Sequence, residues 1–473
     1  MHISCLVRLF LLYELILQSI VIHLPSSACT RDIPSHPTYM ITANKDSSQV
    51  SKTIFSMEKV AVIGSGNWGT AVAKKVAENL LQVDTLSKEE QLVKMWVFEE
   101  FIDGRKLTDI INTDHENVKY LSGVKLPNNV IAIPDIVETC RDADILLFVV
   151  PHQFLPGVLA KLKGNVKSSA IGVSLIKGIQ FSPHGPELLS HKIQEELGLQ
   201  RIAVVMGANV ASDVVTEGSF AETCVASEQI TTAKQVAKLF HSRNFATQCT
   251  TDVSTVELCG ALKNIIAVGA GLCDGMGATS STKAALLRQG LQEMAQFCQY
   301  FDESGSFQMN TLLLSAGVAD LIVTCYSGRN RKCGAEFARR VTSASQGGRT
   351  STAAAPTSSE LWATIEADLL NGQKLQGVAT CEEVVHCLSV LQNNKQEHND
   401  ASNVAHSLEG ETSKSPLVGP GSILDSAPPP VPPGVVGMSI DRGEAIPKFP
   451  LIHRIHDIAC KGAPLDTLFD WGH

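Results

Sequence analysis

A glycine-rich hexapeptide is the segment of this sequence whose spacing points most directly to chemistry. The segment is Gly64-Ser65-Gly66-Asn67-Trp68-Gly69. This G-x-G-x-x-G pattern follows an apolar run, residues 59–63, and precedes a helical pattern. In that setting the glycines permit a tight turn and a close backbone approach, and the amino end of the helix faces a pyrophosphate. The pattern predicts a dinucleotide site, and its alternative is a tight strand-to-helix turn that holds no ligand.

Cationic side chains occur in three settings that suggest an anionic substrate. Lys177 ends an apolar run, at the edge where open α/β sheets bind ligands. Lys263 lies within an apolar helical pattern, and Arg329 follows a glycine turn that suits anion binding. Asp320, in another apolar helical pattern, is a candidate partner for one of the lysines. Each cation has an ordinary alternative: a surface lysine, a lysine that reaches solvent, and a solvated basic turn.

Two acidic residues close the second predicted strand. Glu99 and Glu100 follow Phe98, somewhat further from the glycine loop than the roughly twenty residues that are usual. Carboxylates at this position accept hydrogen bonds from ribose hydroxyls and repel a 2′-phosphate. We therefore expect NAD as the coenzyme.

The composition excludes several classes of protein. The 473 residues suggest two or more domains, and 44% hydrophobic with 18% charged residues is ordinary for a globular protein. The net charge of −9 repels polyanions, so nucleic acid is not expected as a partner. Thirteen cysteines form no zinc-like pattern with histidine, and we interpret them as reduced thiols filling apolar space. We expect no metal site.

Apolar runs and helical patterns indicate the elements that position these residues. Six runs are almost continuous Val, Ile, Leu and Phe, as in strands covered on both faces. They are residues 59–63, 95–98, 144–150, 170–175, 202–206 and 223–226. Strands alternating with helices predict an α/β fold with a parallel, doubly wound sheet of Rossmann type. After residue 250 the patterns are helical, at 253–271, 283–301 and 306–324, and predict a mainly α-helical domain.

Three segments are expected to lie outside the packed domains. Residues 1–56 join an apolar run to a polar linker, and the run suits either a secretory signal or membrane anchor, or a weakly structured extension. Residues 342–359 are rich in small residues and 393–446 are polar and proline-rich, so we expect two flexible surface loops. The predicted organisation is an extension (1–56), an NAD-binding Rossmann-type domain (57–250) and a helical substrate domain (251–473) with these two insertions.

The order of the motifs makes the chain recognisable. Residues 57–392 and the tail after Lys448 closely resemble NAD-dependent glycerol-3-phosphate dehydrogenase of the eukaryotic cytosolic type. Besides the glycine loop, the matching motifs include Trp96-Val97-Phe98-Glu99-Glu100, Val149-Val150-Pro151-His152-Gln153-Phe154, Leu175-Ile176-Lys177-Gly178, Met206-Gly207-Ala208-Asn209, Cys259-Gly260-Ala261-Leu262-Lys263-Asn264, Gly317-Val318-Ala319-Asp320-Leu321, Gly328-Arg329-Asn330-Arg331 and Asn371-Gly372-Gln373-Lys374-Leu375-Gln376-Gly377.

The resemblance implies a reaction and a role for each matching residue. The family reduces dihydroxyacetone phosphate with NADH to sn-glycerol 3-phosphate and also runs the reverse. The implied catalytic residues are Lys263, as general acid and base, Lys177, Asp320 and Thr324. The implied substrate contacts are Lys177, Asn264, Arg329 and Asn330. The implied NAD contacts are the six residues of the glycine loop, Phe98, Phe154, Ala211, Arg329, Lys374 and Gln376.

The resemblance also implies a cytoplasmic homodimer that acts on a small molecule. Membrane contact requires that the N-terminal apolar run be retained as an anchor. The chain departs from the family at Ala278-Thr279-Ser280-Ser281, where the family carries Gly-Asp-Asn before Thr-Lys, and local substrate contacts stay open there. Two other functions stay open as well: a catalytically silent NAD-binding regulator, and a dehydrogenase of another small anionic substrate. The set Lys177, Lys263, Asp320 and Arg329 argues against the first.

Overall fold

One edge of a large twisted sheet positions most of the predicted site residues. The computed structural model describes residues 39–40, 59–182, 185–346, 357–370, 374–409 and 446–471. Within them, nine strands form this sheet in the order β1-β13-β12-β11-β8-β7-β2-β3-β6. The strands of the described chain are β1 (Tyr39–Met40), β2 (Val60–Ile63), β3 (Val93–Trp96), β4 (Phe101–Ile102), β5 (Arg105–Lys106), β6 (Val130–Ile133), β7 (Ile145–Phe148), β8 (Ile171–Ser174), β9 (Gln180–Ser182), β10 (Gly185–Glu187), β11 (Arg201–Met206), β12 (Ala221–Ala226) and β13 (Phe245–Thr250).

The doubly wound α/β prediction is confirmed, and the expectation of a parallel sheet needs one correction. Strands β6, β3, β2, β7, β8 and β11 are parallel to one another. Strand β12 is antiparallel to β11, and β1 is antiparallel to β13. A reversal needs no crossover helix, and the chain between β11 and β12 accordingly carries only a helix of five residues. The parallel strands therefore share one carboxyl edge.

Three strands of the large sheet, β1, β6 and β13, were absent from the sequence prediction. Strand β1 has only two residues, and β6 is a four-residue edge strand in which only alternate residues are buried. Strand β13 has the sequence FATQCT, which is mostly buried but contains too many polar residues to form an apolar run. The predicted second strand also shifts, because β3 ends at Trp96 and leaves Phe98 beyond the strand.

The helices alternate with the strands and then fill the second half of the chain. They are α1 (Asn67–Leu81), α2 (Leu107–Asp114), α3 (Ile136–Cys140), α4 (Leu155–Leu162), α5 (Leu189–Leu197), α6 (Ala211–Val215), α7 (Ile230–Phe240), α8 (Val253–Gly275), α9 (Ser280–Tyr300), α10 (Asp320–Ser327), α11 (Arg329–Gln346), α12 (Ser358–Leu370), α13 (Gln376–Glu409) and α14 (Pro450–Lys461).

The predicted helix at 306–324 is instead three pieces. A 3₁₀ segment spans Met309–Leu313, a π-helical turn spans Ser315–Ala319, and only then does α10 begin. Gly317 packs directly on the backbone of Leu312, so a side chain there would overlap that carbonyl. This close approach breaks the helix and delivers Asp320 as the first residue of α10.

Helix α8 is the axis of the helical part. Its start is capped by Asp252, whose Oδ1 accepts from the Thr255 amide at 3.1 Å. By length and composition it is apolar enough to cross a membrane, yet its apolar stretch is buried inside the protein. A long apolar helix in such a position is a core helix, and its buried polar residues therefore require an explanation.

The two predicted insertions differ from expectation, because helices extend into both. Helix α11 continues to Gln346, where the Thr342 hydroxyl donates to the Ala338 carbonyl at 2.9 Å. Helix α12 begins at Ser358, and α13 runs to Glu409 through the start of the second predicted loop. Polar residues such as Gln, Glu and Lys are compatible with an exposed helix, so a polar composition alone did not indicate a loop. Residues 347–356 and 410–445 lie outside the described residues.

Within the N-terminal extension the structure describes only β1, which lies in the predicted linker and pairs with β13. The predicted signal or anchor lies outside the described residues. By its contacts the chain from Tyr39 to His473 groups as one compact unit that includes both the sheet and the helical part. The cysteines of the described chain are free thiols, and all but Cys460 are buried.

Candidate active site

The glycine loop connects β2 to α1 at the carboxyl edge of the sheet. Gly64 has a φ of +122°, and a Cβ on it would lie 2.8 Å from the Val149 carbonyl oxygen, so only glycine fits. Gly66 caps α1 in extended backbone, and a Cβ on it would meet nothing within 4 Å. The first turn of α1 carries no acidic residue. An open backbone at a helix amino end without negative charge fits a bound pyrophosphate.

Side chains around this loop hold its backbone in place. The Ser65 carbonyl accepts from the Thr70 hydroxyl at 3.0 Å and from the Asn117 amide at 2.9 Å. The Asn67 amide donates to the Tyr120 carbonyl at 2.9 Å. These side chains are occupied with the protein itself, so the loop offers a ligand mainly its backbone.

The segment after β3 places an aromatic ring in solvent and both acidic residues on protein partners. Phe98 is 71% exposed. Glu99 accepts from the Thr108 hydroxyl at 2.7 Å, and Glu100 accepts from the Tyr120 hydroxyl at 2.9 Å and pairs with Lys119. Each carboxylate thus has donors within the protein, and the expectation that both face a ribose stays a prediction.

Lys263 and Asp320 form a buried ion pair between α8 and α10. Lys263 is 2% exposed and Asp320 is 1% exposed, and Lys263 Nζ contacts Asp320 Oδ1. The Thr324 hydroxyl, one turn along α10, donates to the same oxygen at 3.4 Å. The other carboxylate oxygen, Oδ2, accepts from Lys177 Nζ at 3.3 Å. The structure thus brings all four predicted catalytic residues into one cluster around a single carboxylate.

Burial changes the acidity of Lys263. Loss of hydration lowers the pKa of its ammonium to about 7, Asp320 opposes that shift, and the neighbouring Lys177 charge adds to it. An ammonium with a pKa near neutrality can both give and take a proton at physiological pH. Among the polar residues that α8 buries, Lys263 therefore has the properties of a proton-transfer group.

Lys177 follows β8, three residues after that strand ends at Ser174. Its Nζ lies 3.4 Å from the Gly207 carbonyl oxygen and 3.3 Å from Asn209 Oδ1, both just after β11. Its side chain is 27% exposed, so one flank of the ammonium is open to a ligand. Lys177 and the Gly207–Asn209 turn meet because β8 and β11 are parallel neighbours with adjacent carboxyl ends.

A second network joins the predicted phosphate-binding turn to α8 and α13. Asn330 Nδ2 donates to Asn264 Oδ1 at 2.8 Å, and Asn330 Oδ1 accepts from the Gly377 amide at 3.0 Å. Asn330 is buried, whereas Arg329, the first residue of α11, is exposed. The guanidinium is therefore the accessible cation of this turn, and the Asn330 side chain is bonded on both sides to the protein.

The remaining predicted NAD contacts lie apart from one another in the chain. Phe154 is 60% exposed beyond β7, and Ala211 is buried at the start of α6. Lys374 is exposed and pairs with Glu366 at 2.9 Å, and Gln376 begins α13 beside Gly377. Among the described residues, no hydrogen bond or ion pair joins these positions to the lysine cluster, and their predicted role depends on a ligand that spans the distance.

The departure at residues 278–281 coincides with a helix start. Thr279 Oγ1 accepts from the Thr282 amide at 3.3 Å and caps α9. Lys283 then pairs with Asp274 at 2.9 Å, and Asp274 also pairs with Arg331 in the turn after Arg329. The altered residues therefore preserve a capped helix next to the predicted phosphate turn. In the described residues, no three His, Cys, Asp or Glu side chains cluster as metal ligands do.

Sequence reasoning assigned no role to Asn209 or Thr223, which contact the Lys177 environment. Asn209 Nδ2 donates to Thr223 Oγ1 at 3.1 Å, and both residues are buried. A polar residue directly after a buried strand, at the carboxyl edge, was the available signal for Asn209. Thr223 sits inside a strand and gave no such signal.

The fold and the site together define a class. A doubly wound sheet with a glycine loop after its first parallel strand, and a lysine of lowered pKa at the same edge, is the arrangement of a nicotinamide-dependent dehydrogenase.

Comparison with known proteins specifies the family. Models of the N-terminus and C-terminus of NAD-dependent glycerol-3-phosphate dehydrogenase match residues 59–233 and 252–411. The chain is 50% identical over 327 residues to the cytoplasmic NAD(+) glycerol-3-phosphate dehydrogenase of Bos taurus, covering 69% of this chain and 87% of that protein. With the Homo sapiens protein of the same name it is 49% identical over 331 residues, 70% and 88% of the two chains. The chain belongs to the NAD-dependent glycerol-3-phosphate dehydrogenase family.

Solved structures agree with this assignment. A glycerol-3-phosphate dehydrogenase of Saccharomyces cerevisiae matches with a TM-score of 0.66 and 35% identity, over 88% of this chain and 99% of the yeast chain. The Plasmodium falciparum enzyme matches with a TM-score of 0.67 and 31% identity, over 88% and 95%. The fold prediction and the family resemblance are both confirmed.

Proposed function

We propose that this protein interconverts dihydroxyacetone phosphate and sn-glycerol 3-phosphate with NADH and NAD, with Lys263 as the general acid and base. The observation that supports the proposal most is the buried Lys263–Asp320 pair with Lys177 beside it. A protein that only bound NAD would have no need to bury the Lys263 ammonium against Asp320 and to place the charge of Lys177 beside them, because burying charged groups costs free energy.

The residues present fit NAD. The glycine loop would hold the pyrophosphate, with Gly66 leaving room for it. The exposed rings of Phe98 and Phe154 offer apolar surfaces for stacking. We assign Ala211, Arg329, Lys374 and Gln376 to the cofactor by resemblance. Bound NADH supplies the hydride for reduction of the ketone.

Lys263 handles the proton in this proposal. Reduction of a ketone builds negative charge on the carbonyl oxygen, and an ammonium beside it stabilises that charge and donates a proton. Asp320 orients the ammonium of Lys263, and Thr324 donates to Asp320 Oδ1 and holds that carboxylate in turn. Lys177 presents a second positive charge on the open flank of the cluster and binds the substrate oxygen there.

Arg329 binds the phosphate in this proposal. Its guanidinium provides paired donors that match two phosphate oxygens, and α11 begins at the same residue. The Asn330 side chain is already bonded to Asn264 and Gly377, so we assign it to keeping this turn in place while its position at the helix start adds to anion binding.

The test is NADH oxidation with dihydroxyacetone phosphate by the full chain, followed by the variant Arg329→Lys. Lysine keeps the charge, and with it any charge contact to the cofactor, but loses the paired geometry, so we expect KM for the substrate to rise at least about tenfold with a much smaller loss of NADH affinity. Arg339→Lys, on the same helix but paired with Glu336, is the matched control and should behave as wild type. Binding of NADH without any turnover would favour the silent regulator, and turnover only with a carboxylate substrate would favour another dehydrogenase.

Compartment and assembly complete the proposal. The Bos taurus and Homo sapiens relatives are named cytoplasmic, and we place this chain in the cytoplasm on that basis. A homodimer, which the resemblance implies, stays a prediction that light scattering would check. Attachment through residues 1–28 concerns residues outside the described part of the chain.

A further inference from the structure

A chain of three hydrogen bonds runs from the sheet interior to the Lys177 ammonium. Lys177 Nζ donates to Asn209 Oδ1 at 3.3 Å, and Asn209 Nδ2 donates to Thr223 Oγ1 at 3.1 Å. The Thr223 hydroxyl donates to the Met206 carbonyl at 3.0 Å. Asn209 is 4% exposed and Thr223 is 0% exposed, so solvent does not compete for these bonds.

The direction of every bond in this chain is fixed by its last acceptor. The Met206 carbonyl can only accept, so the single Thr223 hydrogen points to it and the Thr223 lone pair faces Asn209. The Asn209 side chain must then direct its amino group to Thr223 and its oxygen to Lys177. The opposite orientation would point amide hydrogens at an ammonium and leave a buried hydroxyl oxygen without a donor.

The backbone around Asn209 is equally constrained. The Asn209 amide donates to the Gly207 carbonyl at 2.9 Å, and the Ala208 amide donates to Ser315 Oγ at 3.1 Å. A Cβ on Gly207 would lie 2.6 Å from the same Ser315 oxygen, so the turn has little room to move. Lys177 Nζ therefore lies within 3.4 Å of three acceptors held at set positions, on Asp320, Gly207 and Asn209.

We propose that Thr223 and Asn209 are positioning residues that orient the Lys177 ammonium toward the substrate oxygen. The inference rests on the role of Lys177 in the proposed function. Loss of the Thr223 hydroxyl releases the Asn209 amide to rotate, and Lys177 then loses a directed acceptor while its charge remains. Substrate binding weakens more than proton transfer does, because Lys263 keeps its own pairing with Asp320.

The variants form a cycle with a matched control from the neighbouring strand. Thr223→Val removes the hydroxyl at nearly constant shape, Thr223→Ser retains it, and Asn209→Ala removes the next link. Thr247 is paired with Thr223 across the two strands, is 3% exposed, and bonds to His241 instead of this chain. Thr247→Val thus measures what the loss of a buried sheet hydroxyl does to stability alone.

Steady-state kinetics with dihydroxyacetone phosphate, NADH binding by fluorescence and melting temperature are measured on the full chain. We expect Thr223→Val and Asn209→Ala each to raise KM about tenfold, the effect of one well-placed hydrogen bond, with kcat within about threefold of wild type. The double variant should match either single variant, because both break the same chain. Thr223→Ser should restore KM, and Thr247→Val should leave KM unchanged.

The variant Lys177→Met separates failure of this inference from failure of the proposed function. If Lys177→Met has a normal KM, Lys177 does not bind substrate, and both the proposed role and this inference are wrong. If Lys177→Met raises KM but Thr223→Val matches Thr247→Val, only the inference is overturned. Multiplied effects in the double variant, about a hundredfold in KM, would also overturn it, since the two residues would act separately. If Thr223→Val does not fold, Asn209→Ala in comparison with wild type still decides whether the chain reaches Lys177.

Discussion

The glycine loop and the lysine cluster lie at the same sheet edge, but the loop presents backbone groups and the cluster presents side chains. The loop offers backbone: the Asn67 side chain bonds to the protein, the Thr70 hydroxyl holds the Ser65 carbonyl, and Gly66 leaves open space. The cluster offers buried side chains, with Lys263 and Asp320 almost without solvent. The glycine loop depends on residues without side chains, whereas the lysine cluster depends on charged side chains that are buried away from water.

This difference separates what each region can tolerate. A backbone site is insensitive to pH, because none of the six loop residues carries an ionisable side chain. The helical side places ionisable groups inside α8, where burial shifts their pKa values: that of Lys263 falls and that of Glu257 rises. Substitutions and pH changes should therefore affect cofactor binding and chemistry separately.

The largest expected effect is that of Lys263→Met. Methionine fills similar volume but has no proton to donate, so kcat should fall by about a thousandfold, the middle of the range for general acid catalysis. The glycine loop is untouched, so NADH binding measured by fluorescence should change less than about threefold. Lys75→Met is the control, because Lys75 on α1 is also buried but pairs with Glu78 on the same helix and with Asn244 just before β13. Near-normal turnover of Lys263→Met would show that another group moves the proton.

A second prediction concerns Glu257, which α8 buries and which accepts from the Ser190 amide at the start of α5 at 3.1 Å. Burial raises its pKa to about 7, above the usual value near 4.5. Between these two values the unfolded chain loses this proton while the folded chain keeps it, so the free energy of unfolding falls as pH rises. The loss reaches about 3 kcal/mol at pH 7 and above, since each pKa unit corresponds to about 1.4 kcal/mol.

Glu257→Gln cannot ionise and should therefore lack this fall. We expect denaturant unfolding at pH 5 and pH 8 to show the variant gaining on wild type between the two values. Glu195→Gln, with an exposed side chain on α5, serves as the control and should track wild type at both. Parallel curves for wild type and Glu257→Gln would mean that Glu257 is ionised in the fold throughout.

How far the sequence predicts this molecule depends on whether the signal is local. Continuous apolar runs predicted β2, β7, β8 and β11 because strands buried on both faces require them. Strand β13 escaped because its burial comes from packing against α7, which the sequence FATQCT does not indicate. The break before α10 escaped because Gly317 has helical neighbours and its contact is with the Leu312 backbone.

The site divides in the same way. The glycine loop is a contiguous pattern with a physical requirement at each glycine, and it was predicted from the sequence without a relative. The sequence marked Lys177, Lys263 and Asp320 as candidates because each is a charged residue in an apolar segment. It could not show that the one carboxylate of Asp320 pairs with both lysines. Thr223 has no local signal at all, because its role depends on β11 and β12 lying side by side.

A third prediction uses Gly66 to test the backbone site. Gly66 has a φ of −63°, and a Cβ would meet open space, so Gly66→Ala should fold with a change in melting temperature of only a few degrees. The added methyl occupies the space assigned to the pyrophosphate, so NADH should bind about thirtyfold more weakly. Gly157→Ala is matched, because a Cβ there also meets nothing within 4 Å, and Gly157 lies outside the glycine loop, in the first turn of α4. Equal NADH affinity for both variants would place the pyrophosphate elsewhere.

The smallest expected effect is on the choice between NADH and NADPH, which depends on charged side chains placed next to the backbone-based cofactor site. The segment after β3 carries Glu99 and Glu100, but Glu100 is partly neutralised by Lys119, and Glu99 bonds to Thr108. Arg105, which could attract a 2′-phosphate, is held by Asp114 at 2.7 Å. Net charge at this segment therefore disfavours the extra phosphate of NADPH only moderately, and we expect NADH to be preferred about tenfold in kcat/KM.

Glu100→Gln should reduce that preference by several-fold, because it frees Lys119 and removes a negative charge, whereas Glu187→Gln, far along the chain in β10, should not. The measurement compares both coenzymes at low salt, where charge effects are largest. A wild type that uses them equally, with no response to Glu100→Gln, would show that this segment does not face the ribose.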